Sequence, residues 1–426
     1  MRLDDYIEGF ERDEAAHKRR LAKEKSYAIT DHLEDVERQL EETLSGDALF
    51  GSTAPEIFVG RSGYPQVNSG VLSPVTDDHD PTDFATSGNW YADGLGIEDV
   101  LQRRTGLLNS QRSAKVDVED VWDGFVGTQR EVAIADQPVD VELGLDSTPE
   151  IDLSVDDIST PTGPRARAES ADLAENPHVP RPVKKTLSDD DWRAEGAMTY
   201  LYRKGFDVYD VNTILSAGAL GQGANRRLVP TRWSITAVDD TVGQYLRGQI
   251  RNAPSIDETQ VWYNEYMGNK YWIVLSPGNW EFELVEMKAP ESVWNPVGEA
   301  HYLASAHEGY EGRTSYVDET AGAYYASRLG VLEHLTDIGR QAKCLVLREV
   351  TDDYWAPVGV WQVREGVRNA FDDPGGLPDD IAGRYGVAET FREAVTGVAE
   401  QLPVSLGALR RKSEMVAGLQ AQLSDF

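Results

Sequence analysis

Three groups of residues in this 426-residue chain carry side chains suited to chemistry. The first is Glu286-Met287-Lys288. Metal-dependent nucleases use such an E-x-K triplet on a strand: the carboxylate holds the metal, and the lysine orients or activates water. Strand alternation sets Glu286 and Lys288 on the face shared by Trp280, Phe282 and Leu284. A second acid must come from a neighbouring strand, and 271–275 offers none, so Asp239 or Asp240 serves only if the fold brings it close. The plainer alternative is a same-face Glu–Lys ion pair.

The second group is Arg226, Arg227 and Arg232 around Pro230, with Trp233 adjacent. Guanidinium forks suit phosphate, and an indole face stacks on a base, which makes this the best nucleic-acid candidate in the body of the chain. Internal pairing of these arginines with carboxylates is an equal alternative. The third is Gly60-Arg61-Ser62-Gly63-Tyr64-Pro65, whose backbone N–H groups and Arg61 could receive an anion. Its alternative is a tight turn with Gly63 at positive φ.

Other patterns carry less. Gly221-Gln222-Gly223 follows a helix, whereas a phosphate loop leads from a strand into one. His301 and Glu308 are too far apart on a helix to share a metal, and His307 and Glu311 are i,i+4 partners only if Gly309 and Gly312 permit one. The single cysteine, Cys344, lies in an apolar strand run and reads as a core residue.

The elements that position these groups alternate without regular βαβ spacing, so the class is α+β: mixed helices and short antiparallel sheets in two globular regions, with a C-terminal tail peptide. Periodicity predicts a helical arm over 1–46, strands at 57–59 and 139–143, and an amphipathic helix over 97–108. The proline-rich stretch within 131–190 reads as an extended segment crossing the surface. Helices are predicted over 189–204, with Ser188 as N-cap, and over 211–220. A strand or buried segment follows at 233–238. The clearest hairpin joins 271–275 to 280–288 through a turn at 276–279. Helix is expected at 316–340, 379–401 and 406–419, and a strand pair at 343–350 and 358–363. The boundaries drawn are 1–46, 47–290, 291–404 and 405–426.

Composition adds a constraint. There are 41 Lys+Arg against 73 Asp+Glu, a formal charge of −32, spread along the whole chain. Such acidity ordinarily argues against nucleic acid, since phosphates repel carboxylates. In molar salt, where the Debye length falls to about 3 Å, local basic clusters matter more than global charge. A halophilic, cytoplasmic protein fits this pattern, and no apolar run approaches the ~20 residues of a membrane helix.

Three stretches together carry a resemblance: 59–67 (VGRSGYPQV), 174–180 (AENPHVP) and 226–240 (RRLVPTRWSITAVDD). The sequence resembles the archaeal Nre family of DNA repair proteins, of the NreA type, from about residue 50 to the C-terminus. The resemblance implies a domain of the family's N-terminal type followed by one of its C-terminal type. It also implies a role in DNA damage repair and recruitment by the sliding clamp PCNA. Some members carry an N-terminal cysteine zinc finger; its cysteines are absent here, so no zinc is carried over.

The chain closes on Gln420-Ala421-Gln422-Leu423-Ser424-Asp425-Phe426. In a 3₁₀ turn, Gln420, Leu423 and Phe426 stack on one face. This resembles the clamp-binding PIP motif: the amide enters a polar pocket, and the two apolar side chains plug a groove. The motif has one aromatic where many have two, so the affinity expected is modest. Two readings of the body stay open. One is DNA binding or scaffolding without a cofactor; the other is a nuclease using Glu286 and Lys288 with Mg²⁺ or Mn²⁺.

Overall fold

The computed structural model describes residues 38, 48–75, 79–119, 121–146, 149, 163–372 and 383–419. The expected helical arm over 1–46 and the tail at 420–426 lie outside these residues, save Arg38, which is helical. The chain divides into two compact units, one ending at Val242 and the other running on from Gly243. Each is built on a six-stranded mixed sheet, so the class is α+β as expected.

In the first unit the strands are β1 (Ala48–Ser52), β2 (Ile57–Val59), β3 (Gln66–Pro74), β4 (Leu107–Lys115), β5 (Asp140–Leu145) and β6 (Arg165–Leu173). Their order is β1-β5-β6-β4-β3-β2, and only the β4–β6 pairing is parallel. Alternation along β3 buries Val67, Ser69, Val71 and Ser73. The helix Gly124–Ala133 contributes Phe125, Val132 and Ala133 to the core containing Val67, Val71, Leu143 and Ala166.

In the second unit the strands are β7 (Thr259–Tyr266), β8 (Asn269–Ser276), β9 (Glu281–Lys288), β10 (Tyr302–Glu308), β11 (Lys343–Val350) and β12 (Gly383–Ala388). The order is β10-β9-β11-β8-β7-β12, with β9 and β11 parallel. On one face, Trp272, Val285, Leu345 and Leu347 pack against Val395, Leu409, Met415 and Val416. On the other, Phe282 meets Tyr324 of the Ala321–Asp337 helix. A sheet covered on both sides needs strands that are apolar throughout, which is why β8, β9 and β11 lack clean alternation.

The predicted hairpin does not close: β8 and β9 are joined by the turn but separated by β11, which pairs with both. Two strands buried on both faces leave room for a third apolar strand between them. Residues 233–238 are not a strand but part of the helix Thr231–Ile250. Ser234, Val238, Val242, Leu246 and Ile250 are all buried at four-residue spacing, and this tertiary pattern overrides the β propensity of the local run.

The stretch read as a surface crossing contains β6, which sits between β5 and β4 with Ala166, Ala168 and Ala171 buried. Ser188 ends the helix Arg181–Ser188 instead of capping the next one, which spans Ala194–Arg203. Pro182 is accommodated in the first turn of the earlier helix, where no intrahelical N–H bond is needed. Residues 358–363 are no strand, since the helix Trp361–Arg368 begins within them. The span 379–401 holds β12 before its helix, Phe391–Ala399. Among the described residues no helix is long and apolar enough to cross a membrane.

Candidate nucleic-acid interface

The structure brings together two of the sequence motifs. Strand β2 runs into the turn at 60–65, where Gly63 takes φ 81°, a left-handed conformation that favours glycine. Gly60 N–H donates to Asn68 O at 2.7 Å, and Gln66 N–H to Gly63 O at 2.9 Å, closing the turn onto β3. Val59 N–H donates to Thr231 Oγ1 at 3.0 Å, fixing the end of β2 beside the start of the Thr231–Ile250 helix. The Pro230 carbonyl accepts from the N–H groups of Trp233 and Ser234 there.

This tie sets Tyr64 against Trp233, with ring centroids 5.3 Å apart and planes at 52°. Both rings stay open, Tyr64 at 44% exposure and Trp233 at 46%, so each keeps a usable π face. Arg61 and Arg232 are exposed on the same two segments. Among the described residues Arg61 has no ion-pair partner, although acids outnumber bases along the chain. Lys115, exposed and opposite Gln66 across the β3–β4 ladder, adds a cation that sequence reasoning missed. Only the strand pairing reveals it. Exposed aromatic faces flanked by cations are the arrangement that stacks bases and holds the backbone of a single strand.

Arg226 and Arg227 are not part of this surface chemistry. Arg226 is buried, and its guanidinium donates to the carbonyls of Gly221 at 3.0 Å, Leu187 at 2.9 Å and Thr186 at 3.3 Å. It clamps one loop carbonyl and two in the last turn of the Arg181–Ser188 helix, whose oxygens lack intrahelical partners, and lies 3.4 Å from Asp190 Oδ1. Arg227 pairs with Asp117 at 3.0 Å. Arg130, also buried, plays a similar part unseen in the sequence: it donates to Val118 O at 2.7 Å, and its guanidinium lies 3.8 Å from the Trp122 ring centroid.

The E-x-K pair is assembled otherwise than a metal site requires. Glu286 is buried and forms an ion pair with Arg348, its partner in the parallel β9–β11 register. Arg348 in turn donates to Asn269 Oδ1 from Nε at 3.0 Å and from Nη2 at 2.7 Å. Lys288 Nζ lies 3.7 Å from Glu286 Oε2. Asp239 is buried and Asp240 half-buried in the Thr231–Ile250 helix, on the part that belongs to the first unit, each with partners of its own, while Glu286 belongs to the second unit. Among the described residues no group of three or more His, Cys, Asp and Glu is placed to hold a metal ion. Cys344 is fully buried in β11, and burial pushes its thiol well above the ordinary range.

Among the described residues His307 is the one histidine held between two acids: Nε2 is 3.1 Å from Glu281 Oε1, and Nδ1 is 3.2 Å from Glu414 Oε2. The Glu281 hydrogen bond raises its pKa, while His307 and Lys343 hold Glu281 down at about 2. Next to it, the buried Glu283 carboxylate accepts from Ser413 Oγ at 2.6 Å, Glu414 N–H at 2.8 Å and Met415 N–H at 2.9 Å. These bonds seat the helix Glu414–Ala417, just before the tail, onto β9.

Comparison with known proteins also divides the chain in two, but between 295 and 308 instead of at 242. The domain described as Archaeal Nre, N-terminal, matches residues 21–295, and that described as Archaeal Nre, C-terminal, matches 308–426. A DNA repair protein NreA of Haloferax volcanii is 65% identical over 430 residues, covering 100% of both chains. NreA of Archaeoglobus fulgidus is 36% identical over 365 residues, covering 86% of this chain and 88% of its own. NreB of the same organism is 34% identical over 384 residues, covering 89% and 92%. No solved structure matches. Across its length, then, the chain belongs to the archaeal Nre family.

Proposed function

We propose that this protein acts in DNA repair as a DNA-contacting scaffold held at its substrate by a sliding clamp. The observation that carries the repair role is the full-length similarity to a DNA repair protein, at 65% identity. Contact with DNA is assigned to Tyr64 and Trp233, with Arg61, Arg232 and Lys115 meeting the phosphates. Recruitment is assigned to Gln420, Leu423 and Phe426, whose spacing fits a clamp-binding peptide. A weak terminal peptide is enough for this, because tethering raises the local concentration of the body at DNA already encircled by the clamp. The setting is a cytoplasm of high salt, where screening lets a chain of charge −32 approach phosphate.

The second reading, a metal-dependent nuclease using Glu286 and Lys288, has less support. The Glu286 carboxylate is already engaged by Arg348, and freeing it for a cation would strand a buried guanidinium.

Calorimetry with PCNA in molar KCl tests recruitment, comparing the intact protein with Leu423→Ala/Phe426→Ala. Binding lost only in the variant supports it, and equal binding by both overturns it. Activity requiring Mg²⁺ or Mn²⁺ that disappears in a folded Glu286→Gln variant would favour the nuclease.

A further inference from the structure

The second unit contains a cluster of cations that neither motif analysis nor similarity assigns. The loop after β10 and the Ala321–Asp337 helix face residues 243–251 of the chain. Arg328, 2% exposed, pairs with Glu308 at 3.0 Å, and a Cβ on Gly243 would come within 3.0 Å of its Nη2. Arg247 follows Gly243 by four residues on the same helix, and a Cβ on Gly312 would coincide with its guanidinium. Arg313, next to Gly312, donates to His307 O at 2.7 Å. The Arg313 and Arg328 guanidinium carbons lie 5.9 and 5.7 Å from the centroid of the same ring, Tyr324. Arg313 and Arg328 thus share one ring, and Arg247 lies against Gly312, the residue before Arg313.

Two details distinguish this from an ordinary internal network. Among the described residues neither Arg247 nor Arg313 forms an ion pair, in a chain with 73 acidic and 41 basic residues. Both are nonetheless partly buried, and Arg247 Nη1 and Arg313 Nε are inaccessible donors without an acceptor. Nearly all such groups in folded proteins are satisfied. The nearest acid on the loop, Glu311, is turned the other way, in a two-oxygen pair with Arg251 Nη2 at 2.9 and 3.0 Å. The loop itself is exposed at Glu311, Thr314 and Ser315, so the segment that carries Arg313 lies at the surface.

We infer that Arg247 and Arg313, backed by Arg328, form a binding site for a phosphate group. Arginine's planar fork matches phosphate oxygens, and an anion of two charges would offset the excess of three guanidiniums over Glu308. The glycines at 243 and 312 give the guanidiniums their room. The phosphate comes either from a DNA backbone or from a free phosphorylated small molecule. The site does not depend on the Tyr64–Trp233 surface, which belongs to the other unit.

Calorimetric titration of the full chain with pyrophosphate, at fixed ionic strength, tests this. Saturable binding is expected, weakened about tenfold or more in Arg247→Ala and in Arg313→Ala. Wild-type melting supplies a measurement that does not depend on variants: pyrophosphate should raise the midpoint where acetate of equal ionic strength does not. Displacement of pyrophosphate by a short oligonucleotide identifies the DNA backbone as the source, and failure to displace it identifies a small molecule. Absence of saturable binding, or binding by both arginine variants as tight as that of the parent protein, overturns the site.

Discussion

Tyr64 and Trp233 pack ring against ring at a tilt, across two segments far apart in the chain, and the hydrogen bond from Val59 N–H to Thr231 Oγ1 holds those segments together. The pair is half-open to solvent, so its removal should affect binding more than folding. Trp233→Ala is expected to weaken single-stranded DNA binding by ~1–3 kcal/mol, the value of one stacked base. Trp233→Phe should retain most of it. Fluorescence anisotropy of a labelled oligonucleotide titrated with each variant checks this, with the melting midpoint expected to stay close to that of the parent protein.

Glu286 should behave as a stability residue. Glu286→Ala leaves Arg348 buried without its counter-ion, which is expected to cost about 3–5 kcal/mol. The double variant Glu286→Met/Arg348→Met should recover much of that loss, since both charges leave together. Denaturant unfolding of the single and double variants measures the coupling. Additive losses would contradict the pairing.

The His307 pair predicts a pH dependence at both ends. The folded pKa of His307 is raised, so its contribution is complete below its ordinary value of 6.5 and disappears as pH rises through the higher folded value. Glu281 is depressed to about 2, so its contribution is present above 4.5 and lost as pH falls toward 2. Amide protection factors in 414–417, taken against the intrinsic exchange rate at each pH, should therefore fall on the alkaline side, where the link from His307 to Glu414 weakens. His307→Gln should flatten that alkaline limb.

Gly366 is where the Trp361–Arg368 helix comes closest to its sheet: a Cβ there would run into the Tyr271 ring. The Tyr271 hydroxyl is already committed to Gln362 Oε1 at 2.7 Å, and Asn264 Nδ2 donates to Gly366 O at 2.7 Å. With little freedom to move, Gly366→Ala should destabilise by about 1–3 kcal/mol through overpacking. Thermal melting of this variant beside Gly397→Ala, where a Cβ meets open space, isolates the steric effect.

Legibility in the sequence varied with the range of the interaction that decides each element. Ile57-Phe58-Val59 and the turn after it were readable because alternation and glycine placement are local signals. The helix at 231–250 was misread in its first turns, where Trp233, Ile235, Thr236 and Val238 favour a strand; the deciding signal lay further on, at Val242, Leu246 and Ile250. The site divides in the same way. Trp233 and Arg61 were found by residue type, but adjacent arginines have different fates: Arg226 enters the interior to meet three carbonyls, while Arg227 stays outside with Asp117. Only tertiary structure tells such neighbours apart. Lys115 and the Arg247–Arg313 pair carry no sequence motif, since their significance comes from what faces them.

The position of β11 has a consequence for synthesis. Because it fills the gap between β8 and β9, the ribosome delivers two strands that cannot pair with each other, and their partner emerges only when residue 350 is made. Until then the apolar edges of β8 and β9 stay open, a state prone to association with other chains. The second unit is thus completed late and from within. A chain stopped after 288 carries the E-x-K strand yet lacks the strand that bears its counter-ion.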